Sequence, residues 1–270
     1  MLINGERGGA LSFLDRGLHY GDGLFETIAL RGGRPCRWER HFHRLRRGCE
    51  RLRLPPPDAA QLAGEAVQCA AGVERGVLKL IVTRGCGGRG YNPTGASHPT
   101  RLWLRYPWPE HPAAWRREGV TVRICAQRLG RNEALAGLKH LNRLDQVLAR
   151  GEWDDPALAE GLMLDGEENV IEGTMSNVFL IGEDRLVTPE LRYCGVCGIL
   201  RETILAQARK HGIATEVRPL GVQALIRAPG AFLCNSLIGV WPIRSIQGEQ
   251  TLFHPGHALL AEVQRWVAAD

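Results

Sequence analysis

Lys139 opens the stretch Gly137 to Arg150, in which Leu141, Leu144, Val147 and Leu148 recur at the spacing of one helical face. That spacing predicts a lysine at the mouth of a helix, held by backbone on both sides. A lysine so held can condense with a carbonyl compound once burial or a neighbouring cation lowers its pKa. A solvated surface lysine is the ordinary alternative. Two features favour the first reading: the chain has only three lysines, at 79, 139 and 210, and apolar residues precede this one. Glu172 is the second group that needs an account. It stands in a largely apolar run, where an unpaired carboxylate is costly. A buried ion pair would satisfy it.

Other chemistry-bearing patterns carry less. Cys194-Gly195-Val196-Cys197 has redox or zinc spacing, but no second pair matches it, and no metal is expected. The eight cysteines are scattered, mostly in apolar runs, and read as reduced core residues. His41 and His43, two apart on a predicted helix, point away from each other. Gly85 to Gly90 formally holds G-x-G-x-x-G after a strand, but a dinucleotide site needs a helix to open there. Asn92-Pro93 and His98-Pro99 break the chain instead.

The elements that must position these groups follow from periodicity and punctuation. Met1–Asn4 reads as a short strand, with a turn at Gly8-Gly9. Asp15 to Ile28 reads as a glycine-punctuated loop running into a strand that ends at Leu30. Gly32-Gly33 makes a hairpin turn, and an arginine-rich helix begins near Glu39, with Phe42, Leu45, Cys49 and Leu52 as its apolar stripe. Pro55 to Pro57 ends that helix, and Asp58 caps the next, which runs to about Ala71. Strands are predicted at Val77–Thr83, Arg101–Tyr106, Val120–Cys125, Gly161–Asp165, Asn169–Thr174, Ser176–Ile181 and Ala231–Cys234. A helix runs from about Cys197 to Lys210, and an amphipathic helix from Pro255 to Ala269 closes the chain. Gln127–Ala136 is polar and irregular. The pattern is α+β in residues 1–108 and strand-rich in 120–270, with 109–119 as the connection between two lobes.

Composition sets the outer limits. The chain has 270 residues, 44% hydrophobic and 23% charged, which is ordinary for a globular protein with a large core. No apolar stretch approaches the length of a membrane span, and the amino terminus lacks a secretory layout, so a cytoplasmic location is expected. The net charge of +5 suits anionic ligands. Nucleic-acid binding is not expected, because the basic residues between 37 and 53 form the wet side of a helix and no reader motif accompanies them.

Lys139-His140-Leu141-Asn142-Arg143-Leu144 resembles the cofactor-lysine segment of the aminodeoxychorismate lyase branch of the fold-type IV pyridoxal-phosphate enzymes. Branched-chain and D-amino-acid aminotransferases belong to the same superfamily. Separated segments along essentially the whole chain carry the likeness. His41 to Leu45 resembles the family's H-x-x-R-L pattern, which gives Arg44 the cofactor phosphate; a guanidinium suits a phosphate bidentately. Glu172 to Phe179 resembles E-x-x-x-x-N-x-F, in which the glutamate pairs with the pyridine nitrogen. Gly198-Ile199-Leu200-Arg201 resembles the phosphate cup G-I-T-R. The threonine common in aminotransferases is Leu200 here, so Ile199 and Leu200 would contribute main-chain donors only. Cys234-Asn235-Ser236-Leu237 resembles the lyase branch and offers Ser236 and Leu237 as a second phosphate edge.

The resemblance implies the fold-type IV architecture, two lobes with pyridoxal 5'-phosphate between them, in a homodimer. It also implies that Tyr20 lines the pocket, that Thr27 sits beside the cofactor's imine carbon, and that Arg89, or less surely Arg84, holds a substrate carboxylate. The implied activity converts 4-amino-4-deoxychorismate to 4-aminobenzoate and pyruvate, a step towards folate. A D-amino-acid or branched-chain aminotransferase using the same lysine and glutamate is the alternative.

Overall fold

The computed structural model describes residues 1–96, 98–249, 253 and 256–268. The chain divides into two compact units, Met1–Glu110 with Leu138–Asn142, and His111–Gly137 with Arg143–Asp270.

In the first unit β1 (Leu2–Ile3) and β2 (Glu6–Arg7) precede the short helix α1 (Arg16–Tyr20), then β3 (Gly23–Arg31) and β4 (Arg34–Pro35). Helices α2 (Trp38–Leu52) and α3 (Ala59–Ala70) follow, then β5 (Arg75–Thr83) and β6 (Thr100–Tyr106). The strands form one antiparallel sheet in the order β2-β1-β6-β5-β3-β4. Gly32 and Gly33, both with positive φ, make the tight β3–β4 turn that the sequence predicts. Asp58 caps α3 by accepting from the Gln61 N–H at 2.7 Å. One face of the sheet carries Leu24, Ile28, Leu30, Leu78, Leu80 and Trp103, packed with Leu45 and Cys49 of α2 and Leu62 and Ala66 of α3. The predicted loop from Asp15 is instead the helix α1. Buried Asp15 caps it at Gly17 N–H and also accepts from the Thr83 and Thr100 hydroxyls.

The second unit opens with α4 (Ala114–Glu118) and β7 (Val120–Leu129), then α5 (Leu144–Arg150), β8 (Leu158–Asp165), β9 (Val170–Gly173), β10 (Asn177–Ile181) and β11 (Arg185–Pro189). It closes with α6 (Ile199–Lys210), β12 (Ala214–Arg218), α7 (Val222–Arg227), β13 (Gly230–Asn235), β14 (Gly239–Ile246) and α8 (Ala258–Ala268). Pro255 and Ala269, the predicted ends of the last helix, lie outside the described residues. The sheet order is β12-β11-β10-β13-β14-β7-β8-β9, a mixed sheet with parallel pairs β11/β12, β14/β7 and β7/β8. Residues from His111 already pack here, with the His111 ring stacked on Trp115 and edge-on to Trp241. The boundary therefore falls after Glu110 rather than across 109–119.

Two expectations around Lys139 are corrected. The helix begins at Leu144, so Lys139 is in extended chain rather than at a helix mouth. The apolar face of α5 is not core: Leu144, Val147 and Leu148 are 75%, 62% and 59% exposed in this chain.

Candidate active site

In the first unit, the segment bearing Lys139 is held as a partial extra strand. β4 covers only the far end of β3, at Leu30 and Arg31, which leaves the edge at Gly23–Phe25 for another partner. The Phe25 N–H donates to Lys139 O at 2.9 Å, the Leu141 N–H to Gly23 O at 3.0 Å, and His140 bridges Leu24. These bonds place Lys139 with the first unit, although 120–270 was expected to carry it. Its Nζ lies 4.3 Å from the centroid of the Phe25 ring, and Lys79 Nζ lies 5.3 Å from the same ring. Thr27 pairs with Lys79 across the β3/β5 ladder and, two residues from Phe25, stands on the same sheet face. Lys139 and Lys79 thus flank one aromatic ring, and Thr27 stands on the sheet face that carries it.

Arg44 lies against the opposite face of β3, because Glu26 alternates with Phe25 and Thr27. Its Nε donates to Glu26 Oε1 at 2.8 Å and its Nη2 to Oε2 at 2.5 Å. His41 Nδ1 is 2.6 Å from the same Oε2, while the buried His41 Nε2 has no hydrogen-bond partner among the described residues. Burial raises the Glu26 carboxyl, but Arg44 and then His41 outweigh it and hold the group at about 2. Burial pushes the His41 imidazole down, against the opposing pull of Glu26. Two of the three guanidinium nitrogens of Arg44 therefore serve Glu26 before any phosphate.

Tyr20 and Arg89 belong to one substructure. The Tyr20 hydroxyl accepts from the Gly90 N–H at 3.1 Å, and the Arg16 guanidinium lies over the Tyr20 ring. Arg16 also donates to the carbonyls of Gly90, Tyr91 and Asn92 and to Asp22. This clasp fixes the loop from which exposed Arg89 projects. Arg84 is buried and committed to Asp22 and to the carbonyls of Leu52 and Arg53, so Arg89 is the better placed of the two for a ligand carboxylate.

In the second unit Glu172 is buried on β9. Its Oε2 accepts from the Val196 N–H at 2.8 Å and, more distantly, from Asn177 Nδ2 at 3.5 Å. Asn177 Nδ2 also donates to Val196 O at 2.9 Å. Arg143, whose pKa burial lowers, feels the Glu172 charge in the opposite sense. The Gly195–Cys197 segment is in turn bonded to both sides of Gly137. Gly198 then starts α6 with no side-chain cap, and a Cβ there would overlap Asn177 Oδ1. An uncapped helix start presents its first amides, here those of Ile199 and Leu200, to an anion. At the other expected phosphate edge, Ser236 opens a turn. Asn235 Oδ1 accepts from the Leu237 and Ile238 N–H groups, both at 2.9 Å, so the Leu237 amide serves the turn itself.

Residues that sequence reading passed over complete these arrangements: Glu26, Lys79, Arg16 and Glu160. Glu26 and Glu160 had a local signal, each a carboxylate in an apolar run like that of Glu172.

The amino-transferase class IV family profile matches residues 23–246. The chain is 35% identical over 236 residues, covering 87% of each sequence, to an aminodeoxychorismate lyase of Vibrio harveyi. Its fold matches the crystal structure of 4-amino-4-deoxychorismate lyase from Pseudomonas aeruginosa at TM-score 0.94 and 44% identity, covering 100% of this chain and 98% of that one. It also matches the PLP-bound form of a hypothetical aminotransferase from Mycobacterium tuberculosis at TM-score 0.82 and 23% identity, covering 98% and 94%, a likeness of fold alone. With the family profile spanning both units, this chain belongs to the aminotransferase class IV family, the fold-type IV pyridoxal-phosphate enzymes.

Proposed function

We propose that this chain is a pyridoxal-phosphate-dependent lyase that converts 4-amino-4-deoxychorismate to 4-aminobenzoate and pyruvate, a step towards folate. The observation that carries the reading is the end-to-end likeness to the lyase of Pseudomonas aeruginosa. The donor set suits the cofactor: an amine over an aromatic ring, a buried carboxylate held by a main-chain N–H, and a helix start with no side-chain cap.

When bound, the cofactor supplies an electron-accepting ring that stabilises charge at the carbon bearing the substrate amine. Lys139 Nζ would hold the cofactor's aldehyde carbon, and once displaced it would take and return the proton at that substrate carbon. Glu172 would keep a proton on the ring nitrogen. Arg44, the amides of Ile199 and Leu200, and the Ser236–Leu237 turn would hold the phosphate. Thr27 would pass a proton to the departing group, Tyr20 would line the pocket, and Arg89 would grip a substrate carboxylate.

The two products contain all the atoms of the substrate, so no acceptor is consumed. The deciding experiment measures pyruvate and 4-aminobenzoate released by the purified protein with no 2-oxo acid present. Equal amounts of both are expected. Turnover that depends on an added 2-oxo acid would overturn this reading in favour of an aminotransferase.

The protein is further proposed to act as a cytoplasmic homodimer. Among the described residues no helix is long and apolar enough to cross a membrane, and the exposed Leu144, Val147 and Leu148 offer an apolar face. Sedimentation equilibrium of the purified chain checks the dimer.

A further inference from the structure

Glu160, near the start of β8, is 1% exposed, and among the described residues no cation hydrogen-bonds to it. It is instead surrounded by donors. Oε1 accepts from the Gly161 and Thr174 N–H groups at 3.0 and 3.1 Å and from the Thr174 hydroxyl at 2.5 Å. Oε2 accepts from the Met175 N–H at 3.2 Å and the Ser176 hydroxyl at 2.8 Å. The three main-chain N–H groups can only donate and the two hydroxyls donate here, so a carboxylate fits, whereas an amide would turn its NH2 on a main-chain N–H in either orientation. Burial nonetheless pushes its pKa up, with the hydrogen bonds opposing that rise. The residues so gathered, Thr174 to Ser176, are the turn between β9 and β10. Gly173 is required at its start, because a Cβ would stand 2.8 Å from Glu160 Oε2.

The turn reaches further. Met175 O accepts from Asn235 Nδ2 at 3.0 Å, and Asn235 Oδ1 accepts from the amides of Leu237 and Ile238. An unbroken chain of hydrogen bonds therefore leads from the Glu160 carboxylate, through Met175 and Asn235, to the turn that carries Ser236. Glu172 is secured separately, by the Val196 N–H and by its register opposite Met163 on β8.

We propose that Glu160 is a positioning residue that fixes the Ser236 turn through Met175 and Asn235, and so sets the affinity for the cofactor's phosphate group rather than for its ring. The inference rests on the cofactor reading above.

The test titrates the full-length chain, stripped of cofactor, with pyridoxal phosphate and separately with pyridoxal, which lacks the phosphate, following absorbance. Glu160→Gln is expected to weaken pyridoxal phosphate by about tenfold or more and to change pyridoxal by less than about twofold. Asn235→Ala should reproduce the same selective loss, and the double variant should be no weaker than the worse single, because both break one connection. Equal losses for the two ligands, unchanged affinity for pyridoxal phosphate, or losses that multiply in the double variant would each overturn the proposal. Where Glu160→Gln does not fold, the selectivity of Asn235→Ala decides alone. A wild-type chain that takes up neither ligand would instead bring down the cofactor reading on which the proposal stands.

Discussion

Arg44 and Glu26 form a two-armed buried pair, with Nε to Oε1 at 2.8 Å and Nη2 to Oε2 at 2.5 Å, across eighteen residues of sequence. The pair gives the fold a specific acid sensitivity. The Glu26 carboxyl is held at about 2, below its ordinary 4.5, so the folded state binds its proton less readily than the unfolded chain. Its contribution to stability is complete above pH 4.5 and is lost as the pH falls towards 2. The shift corresponds to on the order of 3 kcal/mol. Melting temperatures of wild type and Glu26→Gln, measured across this range, should converge as the pH falls. At pH 7 the variant should melt lower, since it leaves Arg44 buried without its counter-charge. Parallel curves at all pH values would contradict the account.

Lys139 and Glu172 should separate attachment from turnover. Lys139→Ala is expected to abolish borohydride-stable attachment of the cofactor together with activity. Mass spectrometry of the reduced protein reads the first, and attachment retained at another residue would remove Lys139 from its role. Glu172→Gln keeps an acceptor for the Val196 N–H but cannot hold a ring nitrogen in its protonated form. It should retain cofactor and lose about a hundredfold or more in kcat.

What the sequence could and could not reveal follows from the range of the interactions involved. Asp58, Gly32-Gly33 and the stripe of α2 are signals within one turn of the chain, and they appear where the pattern places them. Pro242 hides β14, because a proline argues against a strand, yet it pairs with Phe232 inside the sheet. The apolar residues of α5 have helical periodicity but lie on an exposed face, and periodicity cannot tell a core from a surface that another molecule covers. Lys139 was found by residue type, but its placement depends on the open edge of β3 more than a hundred residues earlier, and no local window contains that. Arg44 shows the same limit: its spacing from His41 is readable, whereas its partner Glu26 is a matter of tertiary packing.

Gly198 should tolerate no side chain. A Cβ there would overlap Asn177 Oδ1, and the Asn177 amide ties Val196 to the Glu172 side of the site. Gly198→Ala is expected to cost about 1–3 kcal/mol in stability, as overpacking does, and to weaken cofactor binding as well. Gly221 provides the control. It too precedes a helix, α7, but a Cβ there meets nothing within 4 Å. Gly221→Ala should stay within about 0.5 kcal/mol of wild type and bind cofactor normally. Similar losses in both variants would mean that the helix-start backbone, not Asn177, sets the constraint.

Arg16 should act on substrate through a loop it does not belong to. Its guanidinium donates to three successive carbonyls, at Gly90, Tyr91 and Asn92, and Tyr20 beneath it accepts from the Gly90 N–H. A lysine has no planar fork and cannot reproduce those bonds. Arg16→Lys should speed hydrogen exchange at the Gly90 amide and raise KM severalfold with kcat nearly unchanged, the mark of lost ground-state positioning. Arg89→Gln should raise KM in the same way, and the two changes combined should fall short of the product of their separate effects. Arg84→Gln is expected to behave differently. Its three bonds to Asp22, Leu52 and Arg53 are structural, so it should lower the melting temperature, and a rise in KM with unchanged stability would return Arg84 to the substrate site.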